Sequence, residues 1–386
     1  MRGSHYLNSP NDQLEQKKIV LEPRRNPHLF GQERAEQILA GNFIDQKLPH
    51  AWMLTGNRGI GKATLAYRFA RYVLAGGPLR IPHKQSLAPL ETNNIYKENK
   101  TSPLFIPTDN PTFQRVGANG HSDFMAVETA FKKNKNSKGV ISVDDIRKLN
   151  GFLRLTSGEG GWQVIVIDNA DDLTRGAENA LLKILEEPPP NALLLLVCDR
   201  PKKLLPTTRS RCQKLRLNNL DDTTIDNLLD QYLPHLDLKM RNRLVTLSEG
   251  SIGRVIELAM NNGVEIHNNI LNFLSQMPEI DFSHLQDFSA KISRADAGKK
   301  FEIMTHLTLL LLWRLVHYVC GSNKNELQRE EIEIFNHLKT CATLDRWLKI
   351  WEETNDLLVN TSYVNLDRKQ VILNIFLNIS KTTREG

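Results

Sequence analysis

The sequence is poor in cysteine, and the little it has is scattered. Its four cysteines, Cys198, Cys212, Cys320 and Cys341, form no C-x-x-C pair. Zinc knuckles and thioredoxin-like redox chemistry therefore have no support, and a reduced intracellular protein is expected. An apolar leader is missing too: residues 1–25 are predominantly polar and charged, which speaks against a secretory signal. The longest apolar stretch, Ile303 to Val319, is interrupted by His306, Arg314 and His317. Such residues are costly at the centre of a bilayer, so a buried or half-buried helix is expected there instead of a membrane span. No membrane contact and a cytoplasmic location follow as expectations. Neither an internal repeat nor a coiled-coil pattern is present.

What the chain does have is enough apolar material for real cores. Of its 386 residues 40% are hydrophobic, and the length suits two or three domains of roughly 150 residues. The net charge of +6 is a mild excess. It suits contact with nucleic acid or acidic partners, and a mixed solvated surface accounts for it equally well. Residues 1–26 read as a flexible tail. Over residues 27–217 short apolar runs alternate with helical patterns: Ala51–Thr55, Phe124–Val127, Val164–Ile167 and Leu193–Val197 read as strands. Uninterrupted apolar strands separated by helices suit a parallel sheet covered on both faces, an α/β domain.

Between about residues 76 and 140 the sequence turns polar and irregular, an insertion expected to be partly mobile. Within it, Phe131 to Lys138 reads as an exposed loop. Ser142-Val143-Asp144-Asp145 matches a capping box and should open a helix running to about Leu155. From Asn218 onward helix follows helix. Asp221–Tyr232, Leu238–Leu247 and Ser251–Asn261 read as three helices within residues 218–264, with Gly250 as a C-terminal cap. Residues 265–386 form a larger all-α block, in which Leu311, Leu312, Leu315, Val316 and Val319 fall on one helical face.

Chemistry enters at Gly56-Asn57-Arg58-Gly59-Ile60-Gly61-Lys62-Ala63-Thr64, which follows a strand and opens a helix. Glycines let backbone N–H groups curl around phosphate oxygens, and the helix N-terminus adds a favourable dipole. Lys62 supplies positive charge for the β- and γ-phosphates. This is a P-loop with one part missing: the hydroxyl that should follow the lysine and hold Mg²⁺ is Ala63. Thr64 lies about 100° further round the helix and cannot substitute. The second element repeats the pattern. Val164 to Ile167 is a strand ending in Asp168, suited to Mg²⁺ coordination through water. The next residue is Asn169, an amide that cannot accept a proton, and losing a general base typically costs about 10²–10⁴-fold. Asp171 and Asp172 beyond it are expected as helix caps. The loop is compatible with bound ATP or ADP without requiring either; hydrolysis by this chain is disfavoured.

The runs LFGQERAEQIL, from Leu29, and HAWMLTGNRGIGKATLAYRFARYVL, from His50, lead into NALLKILEEPP, from Asn179, and then Ser210-Arg211-Cys212. In this order they resemble the clamp-loader AAA+ proteins of bacterial DNA polymerase III, the delta-prime family in particular. The resemblance spans about Leu29 to Leu217. Read from the residues alone, the NALLKILEEPP run is an amphipathic helix stopped by Pro188, with Leu181, Leu182 and Leu185 on its buried face. Arg211 alone would read as one half of a surface salt bridge.

The resemblance implies an AAA+ α/β P-loop domain, a helical lid and an all-α collar. It assigns the arginine of the S-R-C motif, Arg211, the role of a finger reaching a neighbouring subunit's ATP in trans. It implies partnership with gamma or tau and delta subunits, and through the complex with a sliding clamp and primer-template DNA. Three departures stand out. Residues 76–140 contain no cysteine, so the four-cysteine zinc module of many relatives is absent and no zinc is expected. The strand-end residue that senses the γ-phosphate falls at Cys198 or Asp199. The lid motif G-S-x-R of active relatives reads Gly250-Ser251-Ile252-Gly253-Arg254 here, which turns the arginine in another direction. Two competing readings stay open at this point: an active ATPase motor, and a DNA-binding protein with a vestigial P-loop.

Overall fold

The computed structural model describes residues 22–78, 102–128, 139–159, 161–294, 297–322, 327–364 and 366–385. The expected loop Phe131 to Lys138 lies outside them, as do residues 1–21 of the expected tail and residues 79–101 of the expected insertion. The chain forms two compact units, one of residues up to His235 together with Gly250–Gly253, the other of Leu236–Glu249 and Arg254 onward. The stretch expected as a lid, 218–264, is thus divided between them.

The first unit runs α1 (Glu33–Ile44), β1 (Ala51–Thr55), α2 (Lys62–Leu74), α3 (Pro111–Gly117), β2 (Phe124–Val127), α4 (Val143–Leu153), β3 (Gln163–Ile167), α5 (Arg175–Glu186), β4 (Ala192–Cys198), α6 (Pro206–Arg211), β5 (Gln213–Arg216) and α7 (Asp222–Tyr232). All five strands are parallel, in the order β2-β3-β4-β1-β5. The two-residue period of a strand sends alternate side chains to opposite faces. Trp52, Leu54, Val164, Val166, Leu193 and Leu195 meet α1 and α2 on one face. Met53, Ile165, Ile167, Leu194 and Leu196 meet α4 and α5 on the other. Each fully buried aliphatic side chain contributes about 1.5–3 kcal/mol.

Four strands lie where their apolar runs put them. The fifth carried no such signal: in β5 only Leu215 is buried, while Gln213, Lys214 and Arg216 are exposed. Pairing with β1, Leu54 opposite Leu215, makes it a strand. The capping box at α4 forms: Ser142 Oγ accepts from the Asp145 N–H at 3.4 Å and Asp145 accepts from the Ser142 N–H at 3.1 Å. On α5, Ile184 is buried and Leu182 only half-buried, so the apolar face is rotated from the expected Leu181, Leu182 and Leu185.

Two stretches are better ordered than composition suggests. Residues 102–128 contribute Leu104 and Val116 to the core on the α1/α2 face. Residues 22–26, expected in a flexible tail, are docked by a buried arginine. The Arg71 guanidinium donates to the carbonyls of Arg24 at 2.9 Å and Asn26 at 2.7 Å and lies 4.3 Å over the Phe113 ring. Burial, with the nearby Arg68 charge, pushes its pKa down to about 9.

The second unit is all-α: α8 (Leu238–Ser248), then α9 (Ile252–Met260) from Arg254 on, α10 (Gly263–Ser275), α11 (Phe282–Ile292), α12 (Gly298–Val319), α13 (Arg329–Cys341), α14 (Leu344–Val364) and α15 (Arg368–Arg384). Leu311, Leu312 and Leu315 of α12 are buried and Val316 and Val319 half-buried. Among the described residues no helix is long and apolar enough to cross a membrane. Its core holds a charged cluster. Glu331 is fully buried and accepts from Arg314 Nη1 at 3.0 Å and from the Gln328 N–H at 3.1 Å, with His267 Nε2 at 3.5 Å. Arg314 also donates to the Thr246 carbonyl at 3.2 Å, so one carboxylate ties α8, α10, α12 and α13 together.

Removing one member of a buried pair leaves the other charge uncompensated. Glu331→Ala is expected to lower the unfolding free energy by about 3–5 kcal/mol, and Glu331→Gln, which keeps an acceptor for Arg314, by clearly less. Urea titrations of the two variants check the order.

Candidate nucleotide-binding site and arginine edge

The chain leaves β1 toward β2 and leaves β4 toward β5, in opposite directions across the sheet. α/β sheets bind ligands at such a switch point, outside the carboxyl ends of the strands concerned, here β1 and β4. The phosphate loop lies there. Gly56, Gly59 and Gly61 have φ of +143°, +81° and +102°, a region other residues resist. A Cβ at Gly56 would stand 2.8 Å from the Leu217 carbonyl oxygen. Asn57 and Arg58 are exposed at the tip, Ile60 is buried beneath it, and Ala63 and Thr64 open α2 half-buried and buried. Lys62 is only 3% exposed, and its ammonium has three partners: the carbonyls of Gly56, at 2.9 Å, and Asn57, and Asp199 Oδ1 at 2.7 Å.

Asp168 stands at the end of β3. Burial pushes its carboxyl up to about 6, reinforced by the charges of Glu128 and Asp199 and opposed by Lys62. Asn169 adopts φ +68° and donates to Asp172. Asp171 is not a helix cap: α5 is capped by Thr174, whose hydroxyl accepts from Ala177 N–H. The buried Asp171 carboxylate instead accepts from the N–H groups of Asp199, at 2.6 Å, and Arg200, at 2.9 Å. It clamps the turn after β4 and so anchors the Asp199 backbone beside the loop.

Residues 250–253, which belong to the first unit, touch the loop from outside. Ser251 Oγ donates to the Arg58 carbonyl at 2.7 Å, and the Gly253 N–H donates to the Gly59 carbonyl at 3.0 Å.

Arg211 is elsewhere. β5 begins opposite Trp52 and ends opposite Thr55. Arg211 thus precedes the amino end of the edge strand, whereas Lys62 follows the carboxyl end of β1. At about 3.3 Å per residue the two ends of such a strand are roughly 15 Å apart. The Arg211 side chain is 34% exposed; its guanidinium pairs with Glu186 at 2.7 Å and donates to the Thr207 carbonyl at 3.0 Å. Ser210 is exposed and donates to the Thr207 carbonyl at 3.0 Å; Cys212 is buried in the α4/α5 core, its thiol pushed up to about 12 by burial. The structure therefore brings the P-loop residues and Asp168 together and sets Arg211 apart from them.

Residues 31–221 match a family model described as DNA polymerase III, delta subunit. The DNA polymerase III subunit delta' of Pseudomonas aeruginosa is 30% identical over 202 residues, 52% of this chain and 53% of that one. The subunit tau/gamma of Haemophilus influenzae is 27% identical over 267 residues, 67% of this chain and 34% of that one. The subunit gamma of Buchnera aphidicola is 27% identical over 338 residues, 86% of this chain and 81% of that one. The chain belongs to the clamp-loader family of DNA polymerase III subunits. It spans about half the length of the delta' relative and about a third of the tau/gamma one. The five-stranded parallel domain is the expected α/β P-loop domain, followed by an all-α part.

Three partnerships of this clamp-loader chain escaped the sequence. Asp199 is the strand-end residue that reaches the loop, and Cys198 points its thiol at Asp171 at 3.4 Å. Glu186, in the NALLKILEEPP run, holds Arg211. Gly253, having no side chain, permits the contact with Gly59. An acid directly after an apolar strand was the available signal for the first; nothing local marked the other two.

A carboxyl with a raised folded pKa costs stability once ionised; the cost grows from about pH 4 to about 6 and is constant above. Asp168→Asn is expected to stabilise the chain by on the order of 2 kcal/mol at pH 8, with the gain shrinking at pH 5. Thermal melts of both proteins at the two pH values test this, and a gain independent of pH would count against it.

Proposed function

We propose that this chain is the delta-prime subunit of a clamp loader, unable to hydrolyse ATP itself and donating Arg211 to a neighbouring ATPase subunit. Its partners on this reading are gamma or tau and delta subunits in a cytoplasmic, nucleoid-associated complex. The complex opens a sliding clamp and loads it on primer-template DNA. The observation that carries the reading is the position of Arg211, half-exposed and held by an exchangeable ion pair, at the end of the sheet away from this chain's own Lys62. Exposed pairs of this kind are worth about 0–1 kcal/mol, so a polyphosphate can displace Glu186 at little cost.

A planar guanidinium stabilises charge on a γ-phosphate as water attacks it, an effect worth about 10³–10⁵ in comparable systems. Against turnover by the chain's own loop stand Ala63, without a hydroxyl for Mg²⁺, and Asn169, without a basic oxygen for the attacking water. These two positions favour delta-prime over an active motor of the tau or gamma kind.

Arg211→Ala is expected to leave assembly with gamma-type and delta subunits intact. ATP turnover at the neighbouring site should fall by on the order of 10³, and clamp loading with it. Steady-state ATPase and loading assays on the reconstituted complex decide; an unchanged rate sinks the proposal. Robust ATP turnover by the isolated chain, abolished by Lys62→Ala, would make it a motor.

A further inference from the structure

The mechanism above uses Arg211 and leaves this chain's own loop without a task, yet the loop keeps its backbone scaffold. Its three left-handed glycines are in place, and its carbonyls are fully engaged. Those of Gly56 and Asn57 accept from Lys62, that of Arg58 from Ser251, that of Gly59 from Gly253 and that of Ile60 from Gln32 Nε2. What differs from a working cradle is the third partner of the ammonium. A carboxylate stands 2.7 Å from a lysine that is 3% exposed, where a phosphate oxygen is required. Lys62 has three N–H donors and three acceptors, so an incoming phosphate must displace one of them.

We propose that Asp199 is an internal stand-in for phosphate, and that its pairing with Lys62 excludes nucleoside triphosphates from this chain's loop. An anion approaching Lys62 meets Asp199 directly, with Asp168 and Glu128 close enough to interact, so repulsion adds to the competition. The backbone that carries Asp199 is anchored beside the loop, because its own N–H and that of Arg200 are held by buried Asp171. On the outer side, Gly253, which belongs to the same unit as the loop, packs directly against Gly59. A Cβ there would stand 2.7 Å from Gly59 Cα, so the contact depends on glycine. The inference deepens the reading of this chain as hydrolysis-deficient, but concerns binding, which is measured separately.

The test is titration of the full-length chain with mant-ATP and Mg²⁺, comparing wild type, Asp199→Asn and Asp199→Thr, with Lys62→Ala added to each variant. Thermal melts verify that the variants are folded. Both neutral variants are expected to bind about tenfold or more tightly than wild type, and to lose that gain when Lys62 is removed. Equal affinities for wild type and both variants, no binding by any of them, or a gain that survives Lys62→Ala would each overturn the proposal. Turnover separates the two readings. A variant that binds without hydrolysing supports both, whereas one that binds and hydrolyses keeps the exclusion and removes the hydrolysis deficiency.

Discussion

Everything in the first unit follows from covering a parallel sheet on both faces. A parallel strand's neighbour must be reached by a crossover, and the crossovers supply the helices that bury the sheet. β1 sits inside, between β4 and β5, and its alternating side chains enter both cores. With the connections from β1 and β4 leaving in opposite directions, the switch point at their carboxyl ends needs no further device to exist. The phosphate loop, the end of β3 and the turn after β4 converge there because the topology leaves those three segments nowhere else to go. Asp171 then fixes the turn by accepting from two successive backbone N–H groups.

How much of this was legible depends on the range of the interaction that decides it. β1 to β4 are runs of apolar residues whose burial is written in their own composition. The α4 capping box is equally local, Ser142 and Asp145 being three residues apart. β5 is a strand only because β1 lies beside it, so its polar composition misled. Residues 22–26 are held by Arg71, some 45 residues along the chain. Residues 102–117 pack Leu104 and Val116 into a core built from residues distant in sequence, which their many prolines and polar residues did not announce. Asp171 looked like a helix cap because aspartates near helix starts commonly are; here Thr174 has that place.

The site divides the same way. Gly56 to Thr64 is a contiguous motif whose chemistry is set by backbone conformation, and the structure keeps it. The missing hydroxyl at Ala63 and missing base at Asn169 were visible as residue types. Asp199 against Lys62, and Glu186 against Arg211, are pairings between side chains far apart in sequence. Charge partners of that kind are chosen by the fold, and a count of 50 basic and 44 acidic residues carries no trace of them.

The composition of β5 has a consequence for how anything can approach that side of the molecule. An edge strand normally offers a row of unpaired backbone groups, an invitation to strand addition and aggregation. This one is four residues long and turns Lys214 and Arg216 to solvent, with Arg211 just before it. So short and charged an edge is a poor template for extending the sheet. A neighbour settling there must be recognised by its negative charge and not by backbone complementarity, and the contact will loosen as salt concentration rises.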